Sequence, residues 1–106
     1  MISCFALFLD EQPEAFLYVQ EELRTFWPKV SPPLRRRSIV GLTKALFQQG
    51  AREGAVTAEV TADLLAHGFI GVLAQFARAF YFGEFPGQAQ EWVPKLEQMV
   101  SRMAKP

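Results

Sequence analysis

One cysteine and one histidine are all that this chain holds of the side chains that most often ligate transition metals or act as activated nucleophiles. Cys4 alone cannot close an internal disulfide, which excludes a disulfide-stapled secreted fold and fits a reducing, cytoplasmic setting. Neither sign of charge prevails: 11 Lys and Arg stand against 11 Asp and Glu. No long-range field therefore draws in nucleic acid, an anionic membrane or an acidic partner, and the chain on its own is expected to bind no nucleic acid. The opening MISCFALFLDEQ has an apolar run, but no basic residue precedes it and no small-residue cleavage site follows, so it is a poor signal peptide. There is no glycine-rich phosphate loop, no Cys/His zinc spacing, and no nucleophile motif around Ser3, Ser31, Ser38 or Ser101. No catalytic residue, metal or cofactor is expected, and the chain does not read as an enzyme. Alternating apolar and polar runs of strand length are also missing, as are internal repeats and low-complexity tracts.

What is present is helical. Within 106 residues, half of them hydrophobic, one compact domain spanning the chain is expected. Ile2 to Leu9 is a short apolar stretch stopped by DEQP, where Pro13 suits the first turn of a helix running to about Trp27. Phe16, Val19, Leu23, Phe26 and Trp27 recur there at steps of three and four. Ser31 and Pro32 can start another helix over roughly Pro33 to Gln49, with Leu34, Ile39, Leu42 and Leu46 as its apolar side, closed by Gly50 and Gly54. Thr57 can cap a long helix that continues to Gly83, with Glu59 and Asp63 near its positive end. GEFPG is a turn. A last helix, from about Ala89 to Ala104, carries Trp92, Val93, Leu96, Met99, Val100 and Met103 on one arc, with Pro94 in its first turn or kinking it. The expected fold is all-α, an antiparallel bundle of four to five helices.

HGFIGVLAQFARAFYFG, His67 to Gly83, resembles a membrane span at first sight. Its longest unbroken apolar run is Gly68 to Ala74, well short of the roughly 20 residues a span requires. On a helical wheel Glu59, Asp63, His67, Gln75 and Arg78 gather into one polar stripe, so a lipid-facing surface is not expected. The rest of the wheel holds two apolar regions. Leu65, Phe69, Val72, Leu73, Phe76 and Phe80 suit the domain's own core. Ile70, Gly71, Ala74, Ala77 and Tyr81 form a shallower face suited to a second subunit, and a symmetric homodimer is the simplest assembly that covers both.

Groups that could carry chemistry read more simply as structure. Glu59, Asp63 and His67 lie in a column along one helix, and three residues on a straight helix rarely converge on one ion. Cys4 sits among Phe5, Ala6 and Phe8, as a buried, inert thiol would. LRRRS, Leu34 to Ser38, fans its arginines across a helix surface and reads as a solvated face rather than a phosphate site.

Leu46 to Gly83 carries Gly50-x-x-x-Gly54 at a helix end, the small connector Ala55-Val56, and a capped helix with Ala62, Leu64-Leu65 and Gly71. Upstream, FLDEQPEAFLYVQEEL places Pro-Glu-x-Phe between two helices. Together these features resemble the C-terminal regulatory domain of the TetR family of bacterial transcriptional regulators. The resemblance implies a pocket for a small, hydrophobic effector and dimerisation through the last two long helices as a four-helix bundle. On that reading Phe8, Phe16, Trp27, Phe47, Phe69 and Phe76 line the pocket. Trp92, Leu96, Met99 and Met103 join Ile70, Gly71, Ala74, Ala77 and Tyr81 at the dimer interface. The family's N-terminal helix-turn-helix has no counterpart here, so the expectation is a fragment, a truncated product or a domain without its DNA reader. A helical interaction module without a ligand, whose exposed apolar faces bind itself or a different protein, is the alternative.

Overall fold

The computed structural model of the protein describes residues 2–106. Six α-helices follow one another: α1 (Ile2–Glu11), α2 (Pro13–Phe26), α3 (Pro32–Arg36), α4 (Ile39–Arg52), α5 (Ala62–Tyr81) and α6 (Val93–Ala104). Short 3₁₀ turns at Trp27–Lys29 and Ala89–Trp92 prepare α3 and α6. No strand occurs among the described residues, so the all-α expectation holds.

The boundaries differ from the sequence-based ones in three main places, and the α-helices number six rather than four to five; the last, expected from about Ala89, starts at Val93 after a 3₁₀ turn. The helix expected over Pro33 to Gln49 is broken at Ser38, which becomes the N-cap of α4: its hydroxyl accepts from Gly41 N at 3.2 Å and donates to Arg35 O at 2.6 Å. The helix expected from Thr57 starts later. Thr61 is its cap, accepting from Leu64 N at 3.3 Å, whereas the Thr57 hydroxyl accepts from Glu59 N at 3.2 Å in a tight turn. A threonine can cap a turn or a helix with the same bond geometry, and residue pattern alone does not separate the two. Glu59 therefore leaves the helical stripe, and α5 is about 30 Å long at 1.5 Å per residue.

Both long helices end as the glycines indicate. After α5, Gly83 takes φ 81°, Gly83 N reaches Phe80 O at 3.0 Å and Glu84 N reaches Ala79 O at 3.0 Å. This paired closure satisfies two carbonyls that a helix end otherwise leaves open, and it needs a residue without Cβ at the left-handed position. Gly54, at φ 78°, closes α4 in the same way, while Gly50 stays inside the helix with the Val56 side chain laid against it.

The core forms around α5. Leu65, Phe69, Leu73 and Phe76, at steps of four, four and three, bury against helices drawn from the rest of the chain. α4 lies along one side, with α2 and α6 on others; α1 bridges α2 and α6 and buries Ile2, Ala6 and Leu9. By length and composition alone α5 could cross a bilayer, its mean hydropathy reaching 1.2 over 18 residues. In this fold its bulky side is occupied by the chain's own helices. The molecule measures 38 × 35 × 17 Å, so it is a slab about two helices thick.

One polar bond pair holds the two ends of the chain together. The Asp10 carboxylate, at the end of α1, accepts from Ala89 N at 2.7 Å and Gln90 N at 3.2 Å. These are the unpaired amides of the 3₁₀ turn before α6, where a negative charge is favoured. Gln90 returns the link by donating its side-chain amide to Ser3 O at 3.1 Å. Asp10→Ala is expected to cost about 1–2 kcal/mol by losing both bonds, read as a drop in the thermal midpoint of helical circular dichroism. Two glycines inside helices carry opposite expectations. A Cβ at Gly41 would run into the backbone carbonyl oxygens of Arg36 and Arg35, whereas at Gly71 nothing lies within 4 Å. Gly41→Ala should destabilise by about 1–3 kcal/mol through forced backbone movement. Gly71→Ala should stabilise by about 0.5–1 kcal/mol, the ordinary helical gain. Urea unfolding of the two variants checks the sign of each.

Candidate functional site

An apolar cavity of about 440 Å³ opens where α1, α2, α4 and α5 meet, within the range of small-molecule sites. α1 contributes Cys4, Phe5 and Phe8, α2 Phe16 and Gln20, α4 Ile39, and α5 Ile70 and Leu73. On α1, Phe5 and Phe8 flank the row of Ile2, Ala6 and Leu9 that turns into the core, whereas Leu73 reaches the cavity from the buried side of α5 itself. Phe5 and Phe16 fix one wall by an edge-to-face contact, with ring centroids 5.0 Å apart and planes at 83°. The polar groups on this lining are the Gln20 amide, which can donate and accept, and the weakly polar Cys4 thiol. Cys4 is exposed rather than buried as its apolar neighbours suggest, because α1 turns Ala6 and Leu9 inward instead. Gln20 also borders a smaller pocket of about 240 Å³ with Leu17, Glu21 and Arg78, so it stands between apolar and charged surroundings.

Of the six aromatic residues expected to line one pocket, Phe8 and Phe16 meet in this cavity and the others do not. Trp27 borders a separate groove with Leu23, Val40 and His67, and its ring lies under the Arg35 guanidinium, 5.5 Å from the centroid. Phe47 and Phe69 pair edge-to-face across α4 and α5 at 6.3 Å. Phe76 belongs to a run of rings along the end of α5, with Phe80 at 5.9 Å and Phe85 at 5.1 Å. Phe85 continues the run to Trp92 at 5.0 Å. Most of the aromatic surplus thus goes into joining helices. Gln20 was not among the expected site residues, although it follows Phe16 by four on the same face of α2 and puts an amide into an apolar row, a signal that could have found it. Ile39 carried no such signal, because its place depends on the break at Ser38.

The residues expected at the dimer interface also divide. Gly71, Leu96 and Met99 gather along an open groove of about 550 Å³ between α5 and α6, with Val72, Ala79 and Phe85 beside them. Ile70 faces the first cavity instead. Ala77 and Leu96 are already buried within the chain, at 1% and 6% exposure. Ala74 is half-buried, and Met103 lies against Gly68. Trp92 donates its indole N–H to Pro86 O at 3.1 Å. Tyr81 is exposed and rests on Phe82, ring centroids 5.4 Å apart.

The other polar groups have structural partners. Asp63 pairs with Lys44 at 2.9 Å, joining α5 to α4 rather than completing a column with His67. Cys4 and His67 border different cavities, so they do not form a thiol–imidazole pair. Arg35 donates to Val30 O and Trp27 O, both at 3.0 Å, and pins the turn between α2 and α3. Among the described residues no three His, Cys, Asp or Glu side chains come together as a metal site would require. Comparison with protein-family models, curated proteins and solved structures finds no match to this chain.

Proposed function

We propose that this chain is a helical regulatory module that takes a small hydrophobic effector in the cavity between α1, α2, α4 and α5 and acts as a homodimer, in the manner of TetR-type regulatory domains. The observation that carries this reading is the cavity itself. Four helices leave about 440 Å³ lined by Phe5, Phe8, Phe16, Ile39, Ile70 and Leu73, with the Gln20 amide to orient a ligand. A preformed apolar site with one well-placed polar group is what a compact hydrophobic effector fits. Asp63 is engaged by Lys44, and Cys4 and His67 border different cavities, which favours binding over catalysis. Dimerisation through α5 and α6 draws support from the groove that Gly71, Leu96 and Met99 share. The neutral charge balance gives no long-range attraction of this chain alone to nucleic acid or an anionic membrane, and the lone Cys4 fits a cytoplasmic setting.

A second reading, an interaction module with no ligand, is favoured by the large apolar side chains left in solvent, Leu42, Leu46, Leu64 and Phe82 among them.

Thermal unfolding against a panel of naphthalene- and biphenyl-sized compounds separates the two. Binding at 100 times Kd stabilises the folded state by about 2.7 kcal/mol, so at least one compound should raise the melting midpoint in a concentration-dependent way. Ile70→Trp, which fills the cavity from α5, should abolish that rise while leaving the helical spectrum intact. A flat response across the panel, or a rise that persists in Ile70→Trp, would rule out the cavity as an effector site.

A further inference from the structure

The cavity between α1, α2, α4 and α5 does not stand alone. Gln20 forms part of its lining and also borders the second pocket of about 240 Å³, which Leu17 and Glu21 of α2 and Arg78 of α5 complete. The two spaces differ in character. The first is walled by Phe5, Phe8, Phe16, Ile39, Ile70 and Leu73, with no charged side chain among the described residues. The second holds one cation and one anion. Leu73 of the first lining and Arg78 of the second lie on the same helix, separated by a rise of about 7.5 Å. Among the described residues Arg78 forms no ion pair; its Nη1 donates to Gln75 Oε1 at 3.2 Å, and Glu21 stands in the same pocket without pairing with it. A guanidinium carries its N–H donors in a planar fork, so a single bond leaves donors to spare.

We infer that the effector of this site is an apolar carboxylate: its body fills the cavity, its chain passes Gln20, and its carboxylate pairs with Arg78. This rests on the effector-binding reading and adds to it the charge of the ligand and a second anchoring residue. The chemistry of each space selects the class. A charged group in the first would lose its hydration with at most one amide to replace it, so only the body of the ligand belongs there. Gln20, at the boundary, carries an amide N–H₂ that can donate to the passing head group. At Arg78 a carboxylate can take two parallel N–H···O bonds, the geometry that suits a guanidinium. An ammonium group would instead approach Glu21 as a point charge, with Arg78 repelling it. Glu21 opposes the carboxylate in turn, which keeps the preference modest and gives its own substitution a defined sign.

Isothermal titration calorimetry of the full chain with three compounds of one body and different heads tests the inference: 4-(4-biphenylyl)butanoate, its primary amide and the corresponding primary amine. The wild type should bind the carboxylate about three- to fivefold more tightly than the amide, the gain that an exposed ion pair supplies, and the amine most weakly. Arg78→Gln should bring the ratio of carboxylate to amide affinity down to about one, and Glu21→Gln should raise it above the wild-type value. Lys95→Gln, exposed on α6, should leave the ratio as it is, which separates a contact at Arg78 from a change of net charge. Ile70→Trp should abolish binding of all three compounds, and circular dichroism should report intact helix in every variant.

Equal affinity for carboxylate and amide, tightest binding of the amine, or a ratio that survives Arg78→Gln would overturn the carboxylate assignment. Where Ile70→Trp still abolishes binding in those cases, the cavity stands as an effector site without it. No binding by any of the three, when a compound of the apolar panel does bind, overturns the assignment as well; a flat response to both sets removes the effector reading with it.

Discussion

Everything in this molecule is arranged around the need to bury α5 with very little chain. Leu65, Phe69, Leu73 and Phe76 put a continuous bulky side on a 20-residue helix, and a chain of 106 residues leaves little else to cover it. At roughly 25 cal/mol per Å² of apolar surface, this burial is the dominant favourable contribution. The covering helices are short, ten to fourteen residues apart from the five-residue α3. Helices of that length depend on tertiary packing rather than propensity for their stability. α1 is held by Ile2, Ala6 and Leu9 in the core, and the Asp10 carboxylate ties it to the start of α6 as well. The beginning and end of the chain thus close over α5 as one unit, with Thr57 N bonded to Ala104 O at 2.9 Å to tie down the connector as well.

Coverage by short helices has a geometrical consequence. Helices laid beside α5 make a slab of 17 Å, and a slab has more surface for its volume than a ball. Each covering helix presents one side to α5 and has another facing out. Where that outer side is polar, as with Lys95, Gln98 and Arg102 on α6, nothing more is needed. Where it is apolar, as on α4, large side chains such as Leu42 and Leu46 stay exposed. The cavity lies where α1, α2, α4 and α5 meet, a junction edged by aromatic rings rather than closed by a continuous layer.

The all-α class, the glycine-closed helix ends and the inward side of α5 were legible because each rests on local chemistry or on periodicity within one element. Gly83 and Gly54 end helices for reasons confined to a few residues, and Phe69, Leu73 and Phe76 define a face whatever lies opposite. What sequence did not reveal was which partner each face meets. α5 reads as the helix with two apolar sides, but Ile70 and Ala77 of its shallower side are taken up inside the chain. α4 reads as having one apolar side, because Val40, Thr43 and Phe47 do not look like a core stripe. Thr43 escapes notice since its hydroxyl satisfies itself on Ile39 O, which lets a polar residue serve a buried position. The aromatic residues expected at one pocket divide for a related reason: a ring is equally suited to a cavity wall, as Phe8 and Phe16 are, or to joining helices, as Phe47, Phe69 and Phe76 do.

Ile39 stands where the cavity meets the exposed side of α4. It lines the cavity with Phe8 and Gln20, yet it is 56% exposed and is followed along the helix by the exposed Leu42 and Leu46. A molecule seated in the cavity would therefore cover part of an apolar row that the fold itself leaves in water. Full burial of an isoleucine is worth about 1.5–3 kcal/mol, so covering the exposed part of Ile39 contributes at most that, a ceiling of roughly 10- to 150-fold in affinity.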